Sequence, residues 1–408
     1  MPMKKTIAVI VSLDTKEAEA AFIRERIADL GCDTFLIDVG ARGCKSLVPD
    51  IGPCEVVLAG NREWQDLYQI PKHEMIQGLT EGISLLMPKL HEQGKFDAVL
   101  SIGGLQNTTI GVGAMKSLPV GVPKLMVSTV VSGQRTLEAL VGTKDILLMP
   151  SIADLSGINL LTTTILGNAV AAICGMAMNA GQTLPSTDRI VIGATMMGVT
   201  NDGVVRAVRH LEEAGCEVLS FHSTGVGGRA MEEFISQGIV KAVMDLSLHE
   251  ITAEMFGGGY SFGANNRLCA AGGAGIPMVV APGAIDFIDY SIQSVPDFIG
   301  RRKSILHNAG LIHLKLTRDE MAKVGGILAE RLNAGKGPVT VLLPLRGFRQ
   351  CAGPGEVLCD PEADNALIET MHAKLRADIR IVEIDANIND EVFSRIAADE
   401  MLKMIGKR

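Results

Sequence analysis

The sequence predicts an α/β protein of two Rossmann-like domains, with mainly parallel sheets covered by helices. Three observations predict it. Short β-branched runs alternate with longer stretches of helical period, glycines gather just after the apolar runs, and three strand-like segments recur in the same order in the two halves of the chain.

Residues 6–13 read as the first strand. Ala20, Ile23, Ile27 and Leu30 then mark one helix face, and Asp14 with Glu17 resembles a capping box at its start. Residues 34–39 are the next strand; a helical stretch over 72–90 leads to a strand at 97–102, and another helix leads to 124–128. This rhythm implies a parallel sheet with helices on both faces. In the second half, 189–194 is a strand followed by the helix face Val204, Val208 and Leu211. LGCDTFLID (30–38) matches AGCEVLSFH (214–222), DAVLSIGG (97–104) echoes KAVMDLS (241–247), and PKLMVST (123–129) echoes IPMVVAPG (276–283). Such a repeat divides the chain into domains over 1–183 and 186–408, joined through the polar, Pro-containing segment 181–188. Strands at 339–343 and 379–384 follow, with a closing helix that carries Val392, Ile396 and Leu402 inward.

Composition narrows the function. With 408 residues, 47% apolar and 21% charged, the chain can fill two cores. No apolar run reaches the roughly 18 to 20 residues of a membrane span, and the N-terminal apolar stretch meets Asp14, Lys16 and Glu17 without a cleavage site. A formal charge of −8 and 4% aromatic residues argue against nucleic-acid binding. Eight scattered cysteines without metal spacing suit reduced thiols, so the expectation is a cytoplasmic protein with neither membrane nor nucleic acid as partner.

The 45 glycines exceed the usual share of about 7% and mark the candidate site. In SIGGLQNTT a buried strand ends in Gly103 and Gly104, and Asn107, Thr108 and Thr109 offer donors where a helix begins. Free N–H groups at a helix start attract anions, and paired glycines let backbone approach a phosphate. The next strand ends in Ser128, Thr129 and Gly133. The first ends in Ser12, Asp14, Thr15 and Lys16, where Lys16 suits a phosphate and Asp14 a Mg²⁺ water. Gly40 and Arg42 end the second, with Arg42 as a bidentate fork. Simple helix capping and tight turns explain the same residues without a ligand.

The second half offers alternatives. Gly225, Gly227 and Ala230 form a GxGxxA spacing with Asp245 twenty residues on, a dinucleotide fingerprint misplaced after the second strand of its domain. Arg229, Asp245, Glu250, Asp286 and His307 could instead serve an enzyme acting on a small phosphorylated or carboxylated metabolite between the domains. Neither a GxSxG elbow nor a GxxxxGK[ST] loop occurs.

Taken together, SLDTKEAE, DVGARG, SIGGLQNTT, PKLMVSTVVSG, GATMMGVTND, FHSTGVGGRAMEEF, GAIDFIDY and DPEADNAL resemble the Tm-one-like ATP-binding family, over essentially the whole chain. The resemblance implies two Rossmann-like domains, ATP as ligand and a homodimer. Leu105, Gln106 and Asn107 depart from the family's GGSxGT loop, and Asn387 stands where the family carries His. The expectation is a nucleotide site on the strand ends of the first domain, with Mg²⁺ as a possible companion of ATP.

Overall fold

The computed structural model describes residues 4–407 apart from 43–45, 65–69, 132–139, 180–186, 259–260 and 296–301. It divides the chain into two compact units, 1–186 and 187–408. Most of the expected connector, residues 181–186, lies outside the described residues.

In the first unit, β1 (Thr6–Val11), β2 (Asp33–Asp38), β3 (Ala98–Gly103), β4 (Lys124–Ser128) and β5 (Leu147–Pro150) form a parallel sheet in the order β2-β1-β3-β4-β5. β1 is buried on both faces, which is why it reads as a continuous apolar run. Ile7, Val9 and Val11 share a core with Ile23 and Ile27 of the helix Leu13–Asp29 and with Leu166 and Ile173 of the helix Leu160–Asn179. Ala8 and Ile10 share the opposite core with Ile83 of the helix Lys72–Glu92 and Ile110 of the helix Leu105–Lys116.

The second unit carries β6 (Val191–Met196), β7 (Glu217–His222), β8 (Ala242–Asp245), β9 (Met278–Val280), β13 (Val339–Pro344) and β14 (Arg380–Ile384) in the order β14-β13-β9-β8-β6-β7, again parallel. Between β9 and β13 the chain inserts a small antiparallel sheet, β10 (Phe287–Ser291), β11 (Ser304–Asn308) and β12 (Leu311–Lys315), with β12 central. The three recurring segments fall on β2 and β7, β3 and β8, and β4 and β9, which hold equivalent places in the two sheets. Each sheet reverses its strand order beside its first strand, and there the crevice for a ligand opens.

Three expectations are corrected. The first helix starts at Leu13 with Ser12 as its N-cap, so Asp14 and Glu17 do not cap it. Their carboxylates instead reach the loop after β2, Asp14 to the N–H groups of Ala41 and Arg42 and Glu17 to Leu47 N–H. In the last helix, Glu391–Met404, Val392 is 42% exposed, and Phe393, Ala397 and Met401 form the inward face. Finally, the helix Leu160–Asn179 has no charged residue over its 20 positions and is long and apolar enough to cross a membrane by length and composition. One face of it packs in the first core.

Candidate functional site

At the ends of β1, β2 and β3 side chains are tied to one another before any ligand is considered. Ser12 Oγ donates to Asn107 Oδ1 at 2.6 Å, and Asn107 Nδ2 donates to the Ile102 carbonyl at 3.2 Å. Gly103 has φ +148°, and a Cβ there would lie 2.5 Å from Asn107 Cβ, so only glycine makes this turn. Gly104 is extended at φ −86°, and a Cβ would meet only Thr129 Oγ1, at 3.6 Å. The helix Leu105–Lys116 begins directly after it, leaving its first N–H groups without intrahelical acceptors. On the other side, Asp38 accepts from Leu13 N–H at 2.9 Å and Gly40 N–H at 2.8 Å. Burial pushes the Asp38 carboxyl above its ordinary pKa, against the pull of those two N–H groups.

These loops enclose a cleft of about 540 Å³. Of the expected residues, Ser12, Asp14, Thr15, Lys16, Arg42, Gly104 and Asn107 line it. Gly40 shapes it from behind, where a Cβ would lie 2.8 Å from Asp14 Oδ1. Thr108 and Ser128 share a buried hydrogen bond of 2.6 Å beneath it, and Thr109 bonds back to the Leu105 carbonyl on an exposed face. Gly133 lies outside the described residues. Lys72, Met75 and Gln106 line the cleft as well, and sequence reading missed them. Lys72 opens its helix, so its position at the cleft depends on tertiary packing. Among the described residues no ion pair engages Lys16, Arg42 or Lys72, so three cations face one cavity. Asp14 keeps one carboxylate oxygen clear of the Ala41 and Arg42 amides, which suits a water-mediated contact to Mg²⁺.

The second unit uses its candidate residues differently. Gly225, at φ +122°, caps the helix Val226–Ser236 after the edge strand β7. Its N–H and that of Gly228 donate to Glu250 Oε1 at 2.8 and 2.9 Å, so the glycine loop already holds an anion of its own. Arg267, fully buried, pairs with Glu250, with Glu232 at 3.0 Å and with both oxygens of Asp245 at 2.8 and 2.9 Å. Asp245 also accepts from Thr195. The dinucleotide reading is therefore overturned: its acidic residue and its amides are consumed by an internal salt bridge. Arg229 sits in the first turn of the same helix.

Asp286 is likewise internal. Lys315 Nζ donates to it at 2.7 Å and to Asp364 at 2.6 Å. Arg349 Nε lies 2.9 Å from Asp286 Oδ1, an ion pair by distance whose atoms are not aligned for a hydrogen bond. Burial raises the Asp286 carboxyl pKa, but Arg349 and Lys315 outweigh it and hold the group below the ordinary range. Asp364 goes the other way, pushed up by burial to about 6 despite Lys315. His307, in contrast, is exposed and stacks on buried His313 with ring centroids 4.4 Å apart.

At the start of the helix that follows β6, Asn201–Glu213, Asn389 engages the backbone directly. Its Oδ1 accepts from Gly203 N–H at 3.1 Å, its Nδ2 donates to the Val199 carbonyl at 3.0 Å, and a Cβ on Gly203 would lie 2.2 Å from the Ile388 carbonyl oxygen.

Residues 5–182 match the model of the N-terminal domain of an uncharacterised protein family, UPF0261, and residues 189–405 match its C-terminal domain. The chain is 38% identical to a UPF0261 protein of Clostridium tetani, over 99% of this chain and all of the relative. It is 31% identical to the ToMV resistance protein Tm-1 of Solanum lycopersicum, over 81% of this chain and 44% of that protein. Among solved structures, UDP-N-acetylglucosamine 2-epimerase from Rickettsia bellii aligns over 99% of this chain and 96% of its own, at 9% identity and a TM-score of 0.23.

Proposed function

This chain belongs to the uncharacterised protein family UPF0261, and from that premise we propose that its first unit binds ATP in the cleft at the ends of β1, β2 and β3. The observation that carries the reading is the convergence of Lys16, Arg42 and Lys72 on the free amides at the start of the helix Leu105–Lys116. Amides at a helix start receive phosphate oxygens, and the three cations offset their charge. Met75 and Leu105 supply apolar walls for a base. A cleft of about 540 Å³ falls within the range of about 300–1,000 Å³ usual for small-molecule sites. Asp14, fixed by the Ala41 and Arg42 amides, would hold a water of the Mg²⁺ that accompanies the nucleotide.

Calorimetric titration of the full chain with ATP and Mg²⁺ tests the reading. Lys16→Ala removes a charge-assisted contact worth roughly 1.5 to 3 kcal/mol, while circular dichroism stays unchanged. Unchanged ATP affinity in folded Lys16→Ala and Lys72→Ala proteins would sink it.

A further inference from the structure

A second cavity, of about 190 Å³, opens in the second unit at the ends of β6 and β7, where Met197, Gly198 and Val199 meet His222 and Thr224. The inserted sheet closes it with His307, Asn308, Leu311 and His313. Its location corresponds to the β1 and β2 side of the first unit's cleft.

His313 is the informative residue. It is 1% exposed and held between Phe287, at 4.4 Å between ring centroids, and His307. Its Nδ1 lies 3.3 Å from Arg349 Nη1. A guanidinium only donates, so Nδ1 must accept, and the single proton of the neutral ring sits on Nε2. Burial and then the nearby Arg349 hold the imidazolium form down to about 3, so the ring is neutral at physiological pH. Nε2 is buried, and among the described residues it has no hydrogen-bond partner. A buried donor left unmade is costly, and this one belongs to a residue that lines a cavity.

The lining specifies what would satisfy it. Thr224 and Asn308 add donors, Met197, Val199 and Leu311 are apolar, and among the described residues no aspartate or glutamate lines the cavity. Among the described residues neither lysine nor arginine lines it, which disfavours a phosphoryl group. The geometry points to a second binding site in this chain, for a small carboxylate on a short carbon skeleton, with His313 Nε2–H donating to one of its oxygens. The site is separate from the ATP cleft and stands or falls without it.

The test is calorimetry of the full chain with pyruvate as probe and inorganic phosphate as comparison. Saturable pyruvate binding at millimolar concentration is expected, weakened at least tenfold by His313→Phe, which keeps an aromatic ring between its neighbours but removes the donor. Gly198→Val guards against a misfolded variant. Gly198 is exposed, its φ is not positive, and a Cβ there meets nothing within 4 Å. A valine there should keep the fold, and because Gly198 lines the cavity the added bulk should weaken pyruvate binding at least tenfold. Absence of saturable pyruvate binding, binding indifferent to both variants, or phosphate bound as tightly as pyruvate would each overturn the assignment.

Discussion

Ser12 Oγ donates to Asn107 Oδ1 at 2.6 Å across 95 residues of sequence, joining the end of β1 to the first turn of the helix after β3. Both side chains are nearly buried, at 5% and 7% exposure. The bond fixes which way the Asn107 amide faces, because Nδ2 is then left for the Ile102 carbonyl. Ser12→Ala strands a buried acceptor and should cost about 1 to 3 kcal/mol of stability. ATP affinity should fall with it, since both loops border the cleft. Denaturant unfolding and calorimetry on the same preparation read the two effects. A variant with unchanged stability would show the bond to be incidental.

Adjacent glycines should behave oppositely. Gly103→Ala forces a side chain into positive φ and onto Asn107, so the first unit should lose at least about 1 to 3 kcal/mol. Gly104→Val has room and an ordinary backbone, so its melting should be near wild type while ATP binding weakens at least tenfold, about 1.4 kcal/mol. Equal melting of the two variants would contradict the backbone geometry.

The Arg267 cluster predicts a stability effect in the second unit. Arg267→Met leaves Asp245, Glu250 and Glu232 buried without their shared cation, a loss on the order of 3 to 5 kcal/mol. Asp245→Ala should likewise destabilise that unit. Hydrogen exchange resolved by peptide should locate the damage around β8 and the helix Val226–Ser236. Protection unchanged there would mean the cluster is not structural.

His313 makes stability depend on pH. Its folded pKa, about 3, lies below the ordinary 6.5, so between these values the unfolded chain binds more protons and stability falls as pH falls. From about pH 6.5 to 5 the contribution reaches about 2 kcal/mol. Arg349, His307 and His249 disfavour the proton, and Asp289 favours it. Asp364, raised to about 6, gives the opposite slope from about pH 4 to 6, so the quantity to read is the difference between wild type and His313→Phe. That difference should shrink as the medium is acidified below about pH 6.5. A flat difference would mean that His313 takes up its proton as readily in the folded chain as in the unfolded one.

Sequence and structure agree most closely where local pattern and burial coincide. β4 falls on residues 124–128 as expected, and the three recurring segments land on equivalent strands. What stayed hidden depends on distant partners. Lys72 and Met75 join Lys16 and Arg42 only because the helix Lys72–Glu92 packs beside β1 and β3. The glycines at 225–228 resemble a phosphate loop because the backbone demand is the same, whether the anion is a ligand or Glu250. Nothing in the spacing reveals that Arg267, from a glycine-rich segment, neutralises Asp245. The inserted sheet leaves little signal in the sequence, since its strands have five residues each and lack clear alternation.

Asn389 makes the two halves of the internal repeat unequal. Two halves built on one plan would be expected to offer the same opening where the first helix of each begins. In the second half, however, an asparagine near the C-terminus occupies the helix start, and the Ile388 carbonyl leaves no room beside Gly203. That helix start has become a latch to the segment after β14. What lines an open cleft at the end of β1 is bolted at the end of β6, and the second unit's cavity lies beside the bolt, toward β7.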